Sequence, residues 1–412
     1  MKRFFFIATM AIMAIGCQKT EIQNEVFKPI GFNTEVGKQT RAIATNGYYE
    51  SQPFAVYAYG WQGNAANDDP VMNNVEIYCE TAATESTAAV WKARGQVKYY
   101  WPNDPDTYLN FYAYSPAWNC ANTGETQAEP YANHQKLTFV EAEGNGVSHN
   151  ETDGLKLTNY VHNNMYVDFM VATPVFRAKY NDQAGDGEGA KSVPVVFNHQ
   201  MTQVVFNVTT DLVYPGVKFT VNYIKLKNIF DQADYKNSTV KTSAFAHGTW
   251  TNQTGSRKYD IFPADTDNGA VSTNAKVAND QTLEAPLVID YITSTPENKA
   301  VVTTTGVTMI PQNMIKATIA PVAGKDTYAN TTGYQMFEIQ YEIEGTGVAK
   351  ETVTKHVPFF AYDEDVKTAV NWAPNQRIVY TVKLGLQEIT FTPSVNVWDP
   401  QSPNGEIYNF AQ

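Results

Sequence analysis

Residues 337–343 read Phe-Glu-Ile-Gln-Tyr-Glu-Ile, and the reading of this stretch decides the fold class. Phe337, Ile339, Tyr341 and Ile343 fall on one side of an extended chain, with Glu338, Gln340 and Glu342 on the other. That is the period-2 pattern of a strand with one buried face. The alternation returns in RIVYTVKLGL (377–386), and EITFTPSVNVW (388–398) closes the series. Nearer the N-terminus, PFAVYAYGW (53–61) is apolar on both faces, as an enclosed strand would be, and TYLNFYAYSP (107–116) follows a Trp101-Pro102 turn. Asn/Gly/Asp/Pro clusters at 64–70, 181–189 and 265–269 read as loops. After the first 20 residues there is no long helical periodicity, no heptad and no repeat of fixed period. The expectation is an all-β chain of antiparallel β-sandwiches.

Composition supports this and excludes several functions. Aromatic residues make up 13% of the 412, while charged residues are only 17%, against roughly 25% in an average soluble protein. Such a chain is too apolar for disorder, and its strand formers outweigh its helix formers. A formal net charge of −12 argues against a nucleic-acid partner. The length suggests two domains, placed at 42–212 and 213–412 with the boundary at the Asp211–Gly216 turn.

The first 17 residues are a targeting segment. Lys2 and Arg3 precede a twelve-residue apolar run, Phe4 to Ile15, and Gly16-Cys17 follows. The run is too short to span a bilayer and reads as a secretory signal peptide. Its end is similar to the lipobox of bacterial lipoproteins, with Cys17 as the lipid-bearing residue and Ala14 in place of the usual leucine. Residues 18–41 read as a leader. Within them Ile30, Phe32, Thr34 and Val36 share one face of an expected strand, and the polar stretch Gly37 to Ala42 carries Arg41. Residues 1–41 hold six basic and three acidic residues, so the remainder carries 24 against 39, or −15. Cys79 and Cys120 are too few for a disulfide framework. Two buried thiols and one bridge both remain open.

Catalytic and cofactor patterns fail on inspection. The six histidines share no ligand spacing, and His199 lies in a strand motif as a structural residue. Gly185 to Gly189 lacks dinucleotide-binding spacing. Asp265, Asp267 and Gly269 echo part of a calcium loop, but Lys276 stands where a glutamate is required. Asp363-Glu364-Asp365 reads as a solvated turn, and no nucleophile elbow occurs. No enzyme activity, metal or cofactor is expected.

Several motifs carry a family resemblance. VPVVFNHQMTQVVFNV (193–208), YWPNDPDTYLNFYAYSP (100–116), DFMVATP (168–174), MIPQ (309–312) and NWAPNQRIVYTVKLGLQEITFTPSVNVW (371–398) are similar, in kind and in order, to segments of the fimbrillin family. These are pilins of the type V pili of some Gram-negative anaerobes. The resemblance implies two transthyretin-like β-sandwiches in series. It also implies export through the periplasm as a lipoprotein, lipidation at Cys17, and residence at the outer membrane. An arginine-specific surface protease would then cut between Arg41 and Ala42, removing the Ile30/Phe32/Thr34/Val36 strand. Another pilin subunit would fill the vacated groove by donor-strand exchange. The candidate donor is the tail 399–412, with Ile407, Tyr408 and Phe410. The same residues would otherwise add an edge strand to the C-terminal domain. Partners would be other pilin subunits, the protease, the membrane and a host-surface ligand. The alternative is an uncleaved surface lipoprotein binding glycans or host proteins through aromatics such as Trp61, Trp91, Tyr112 or Trp118, or a tip adhesin.

Overall fold

The computed structural model describes residues 28–36, 52–62, 65–83, 88–104, 106–117, 137–148, 151–182, 191–210, 217–238, 247–262, 287–290, 302–303, 306–345, 348–362, 370–385 and 389–398. Within them the regular secondary structure is almost wholly strand. The N-terminal half contributes β1 (Ile30–Val36), β2 (Phe54–Gln62), β3 (Ala65–Thr81), β4 (Val90–Ala93) and β5 (Thr107–Ser115). β6 (Asp153–Val161), β7 (Met170–Ala172), β8 (Val175–Ala178) and β9 (Lys191–His199) follow. Next come β10 (Thr202–Thr210), β11 (Lys218–Ile229), β12 (Gln232–Ser238), β13 (Thr249–Thr254) and β14 (Arg257–Phe262). The series ends with β15 (Leu287–Asp290), β16 (Val302–Thr303), β17 (Val307–Met309), β18 (Met336–Gly345), β19 (Val348–Pro358), β20 (Gln376–Leu384) and β21 (Ile389–Val397).

Eight strands form one sheet in the order β1-β9-β7-β5-β2-β3-β4, with β8 also on β5. β2 explains why this sheet has two cores. It is buried from Phe54 to Trp61, and alternation sends Phe54, Val56 and Ala58 to one face and Ala55, Tyr57, Tyr59 and Trp61 to the other. On the first face the sheet curls upon itself. The Phe54 ring meets Phe32 of β1 at 6.0 Å, Trp91 of β4 at 5.2 Å and Phe197 of β9 at 5.4 Å, all in edge contacts. Aromatic pairs of this geometry add about 0.5–1.5 kcal/mol each beyond their burial. The opposite face packs on a three-stranded sheet, β13-β12-β6, through Tyr160, Tyr235 and Trp250.

In the C-terminal half, the sheet β16-β10-β20-β21, joined by β17, faces the sheet β14-β11-β18-β19, joined by β15. Phe206 of β10 and Phe337 of β18 meet across the gap at 5.4 Å, and Phe391 of β21 closes on Phe337 at 5.6 Å. Phe337, Ile339, Tyr341 and Ile343 are all buried in this core, on the face that the alternation of residues 337–343 selects. Most ladders are antiparallel, but β1–β9 and β10–β20 are parallel. Both parallel pairs join strands far apart in sequence, where no hairpin fixes direction.

The hairpin β12–β13 lies beyond residue 213 yet pairs with β6, Tyr235 opposite Leu157. Gly248 makes the packing possible, since a Cβ there would fall 2.3 Å from the Tyr235 ring. Gln200, at the passage from β9 to β10, fastens the hairpin. Its Oε1 accepts from Gly248 N–H at 2.9 Å and Tyr235 O–H at 3.1 Å, and its carbonyl accepts from Trp250 Nε1 at 2.9 Å.

A charged group stitches the outer face of the C-terminal sandwich. Glu338 of β18 accepts from Tyr223 O–H of β11 at 2.6 Å. It also pairs with Lys227 at 3.1 Å and His356 at 2.9 Å. Burial pushes its carboxyl up, but the Tyr223 and Lys227 hydrogen bonds and the charges of His356 and Lys227 outweigh it and hold the pKa down to about 2. The unfolded chain takes up this proton first, so the contribution is complete above the ordinary glutamate range and fades as pH falls towards 2. Urea unfolding of Glu338→Gln against the wild type should therefore show a stability deficit at pH 6 that shrinks steadily on going to pH 2.5. A deficit independent of pH would contradict this assignment.

Candidate functional site

The feature with functional geometry is the place β1 occupies. β1 is short, lies at a sheet edge and comes from the segment before Arg41. Seven consecutive residue pairs, Ile30 with Lys191 through Val36 with Phe197, join it in parallel to β9. Alternation then turns Phe32 and Thr34 into the curl, where both are buried, while Asn33 is exposed. The Phe32 ring sits edge-on to Phe54 at 6.0 Å and Phe111 at 6.2 Å.

Among the described residues, the backbone of the other flank of β1 is bonded at its start. Ile30 N–H donates to the Tyr99 carbonyl at 2.9 Å, and Trp101 N–H donates to the Lys28 carbonyl at 2.9 Å. The Lys28 ammonium lies 4.3 Å above the Tyr180 ring. Beyond that anchor a cleft of about 790 Å³ opens between β1 and β4, lined by Phe32, Tyr78, Trp91, Val97 and Tyr99. Lys92 and Glu80 form an ion pair among the residues lining it. β1 is thus a plug: one ladder, one aromatic side chain in the core, and one clasp at its entrance. Removing it would expose the β9 edge together with the rings of Phe54 and Phe111, a groove shaped for an extended chain.

Ile30, Phe32 and Thr34 are therefore together in one strand, and the Val36 backbone completes its ladder. Cys17, Arg41, Ala42, Ile407, Tyr408 and Phe410 lie outside the described residues. The Tyr99–Trp101 clasp and the β9 edge went unrecognised in the sequence; the Trp-Pro turn at 101–102 was the signal beside them. Trp61, Trp91 and Tyr112 are buried and offer no open stacking face for a glycan, and Trp118 lies outside the described residues. Cys79 is buried, and its Sγ donates to the Thr81 carbonyl at 3.2 Å, while Cys120 lies outside the described residues.

Both buried histidines are hydrogen-bonded within the fold. His199 Nδ1 bonds Asp168 at 2.7 Å while its ring stacks on Trp398 at 4.0 Å. Burial pushes His162 down to about 4 although its Nε2 reaches the Thr308 carbonyl at 2.7 Å, so it is neutral at physiological pH. Among the described residues, no three His, Cys, Asp or Glu side chains converge on a metal position.

A family model for fimbrillin-like proteins matches residues 40–398. This chain belongs to the fimbrillin-like family. No curated protein matches it. Among solved structures, this fimbrillin-like chain is similar to a fimbrial protein from Bacteroides vulgatus, with 16% identity and a TM-score of 0.49 over 90% of this chain and 100% of that one. It is also similar to the tip fimbrial protein Mfa3 from Porphyromonas gingivalis, with 11% identity and a TM-score of 0.30 over 90% and 99%.

Because Phe32 is the main contact of the plug with the core, Phe32→Ala should cost about 3–5 kcal/mol of unfolding free energy in the full-length protein. Hydrogen exchange at residues 191–197 should quicken by a larger factor than at residues 337–343. Equal acceleration at both places would show that β1 does not guard the β9 edge.

Proposed function

We propose that this chain is a structural pilin, made as a Cys17 lipoprotein, matured by cleavage between Arg41 and Ala42, and polymerised by strand exchange into a surface fimbrium for adhesion. The observation that carries this reading is β1, a core-filling edge strand encoded entirely before residue 41. Cleavage after Arg41 would turn it from an internal strand into a separate peptide, held by seven ladder pairs and the clasp at Tyr99–Trp101. Its departure leaves an apolar groove with an open strand edge, an unstable surface that an extended segment of another subunit can cover.

Each apolar side chain that a donor buries fully contributes about 1.5–3 kcal/mol before the cost of ordering the segment. A contact between a tail on one copy and a groove on the next does not close on itself, so it propagates as a filament. Residues 399–412 supply the candidate donor through Ile407, Tyr408 and Phe410, after a linker containing Pro400, Pro403 and Gly405. The acidic body, −15 beyond residue 41, suits a protein whose partners are other subunits and a cell surface, not nucleic acid.

N-terminal sequencing of protein recovered from the cell surface tests the maturation step, with Ala42 expected as the first residue. An intact lipid-bearing Cys17 in the polymerised form would sink the reading. Arg41→Ala should leave the fold unchanged by circular dichroism and abolish filament formation, and normal filament yield from that variant is the contrary result.

A further inference from the structure

The leader-removal reading needs a protease that cuts once in a chain of 412 residues, and the placement of the arginines bears on how that is achieved. The chain has six arginines, at 3, 41, 94, 177, 257 and 377, so residues 42–412 hold only four, beside 20 lysines. All four fall within the described residues. A protease of arginine specificity must draw the guanidinium into a pocket of its own and align several flanking residues as an extended, unpaired chain.

Each of the four fails one or both requirements. Arg94 donates from Nε to Glu76 at 2.7 Å, with the pair 10% and 2% exposed, and its guanidinium lies 5.2 Å over Tyr78. Arg377 is 6% exposed in the middle of a sheet, with Gln203 of β10 on one side and Asn396 of β21 on the other. Arg257 opens β14, pairs with Ile229 of β11 and donates to Asp231 at 2.7 Å. Arg177 is the most exposed at 39%. Its backbone has φ +56°, away from the extended range a protease binds. Its N–H is held at 2.7 Å by the fully buried Asn110, and its guanidinium covers Tyr108 at 4.9 Å.

Lysine is distributed differently. Lys92, Lys236, Lys258 and Lys350 have side chains 46–58% exposed, and Lys325 is exposed in the turn 321–325, where its N–H donates to the Val322 carbonyl at 3.1 Å. Arginine's planar fork suits buried carboxylate pairs, which accounts for Arg94 and Arg257. It does not account for lysine standing at these five exposed positions, against Arg177 alone of the four body arginines.

We infer that the folded body withholds its arginines from an arginine-specific protease, so that such an enzyme releases the leader without cutting the subunit. This inference rests on the leader-removal reading above. Cleavage of a folded chain follows the population of locally opened forms, and here each arginine is tied to a ladder or a buried partner whose loss must precede the cut.

The test uses the purified full-length protein, an arginine-specific endoprotease and, separately, a lysine-specific one, with fragments followed by intact mass. The lysine enzyme should cut within residues 42–412 while the arginine enzyme leaves positions 94, 177, 257 and 377 whole over the same interval. Lys325→Arg, a conservative change in the exposed turn 321–325, which belongs to no ladder, should create a cut after residue 325 at least about tenfold faster than any at the four native arginines. Glu76→Gln should open the bond after Arg94, provided its circular dichroism matches the wild type; the Lys325→Arg comparison decides the matter without it. The inference is overturned if a native body arginine is cut as fast as residue 325 of that variant, or if the variant is not cut at 325. Cleavage after residue 41 is scored separately: an intact body with no cut there counts against leader removal and leaves the withholding of the body arginines standing.

Discussion

The constraint on which the N-terminal half depends is that a sheet curled around an aromatic core must have both of its edges dealt with. Phe54 sits at the focus of that core, and its neighbours come from β1, β4 and β9, the strands on either side of the seam. A curl of this kind does not hold together as separate strands. Phe32 fills the interior from β1 while the β1 backbone satisfies β9, so one short segment performs both tasks. Any segment that replaces it must do the same: supply a side chain to the core and an extended backbone to the ladder.

The C-terminal half has no such dependence on a single strand. Its two sheets bury Phe206, Phe337, Phe359 and Tyr380 against one another, and its sequence-distant pairing, β10 with β20, runs through nine consecutive residue pairs. Several polar groups buried around it bond to backbone. Tyr259 donates to the His162 carbonyl at 2.6 Å, and Thr308 Oγ1 donates to the Val167 carbonyl at 2.6 Å. Such bonds make the passage between the halves specific, because each buried polar group tolerates only the arrangement that satisfies it.

The strands themselves were legible in the sequence where burial imposes a period. Phe337 to Ile343 alternates because one face meets Phe206 and the other meets water or charge. Residues 54–61 do not alternate because the strand has a core on each side, and that too could be read. Strand partners were not legible. Period-2 patterning is indifferent to direction and to neighbour, so nothing in Ile30–Val36 discloses a parallel partner at Lys191–Phe197. The attachment of β12 to β6 was equally hidden, because Tyr235 and Leu157 are ordinary strand residues until placed opposite each other. At the β1 position the plugging face could be read, whereas the Tyr99–Trp101 clasp depends on backbone groups that carry no side-chain signature.

The excursion of β12 and β13 has a mechanical meaning. Among the described residues the chain passes between the halves three times: from β9 to β10, from β11 to β12, and from β13 to β14. Tension that pulls one half from the other is therefore divided among three covalent crossings instead of resting on one linker. For the crossings to extend, the β6–β12 ladder and the seat of Tyr235 and Trp250 around Gln200 must give way first. A single linker would leave the halves free to swing, whereas three crossings and a shared ladder oppose their separation.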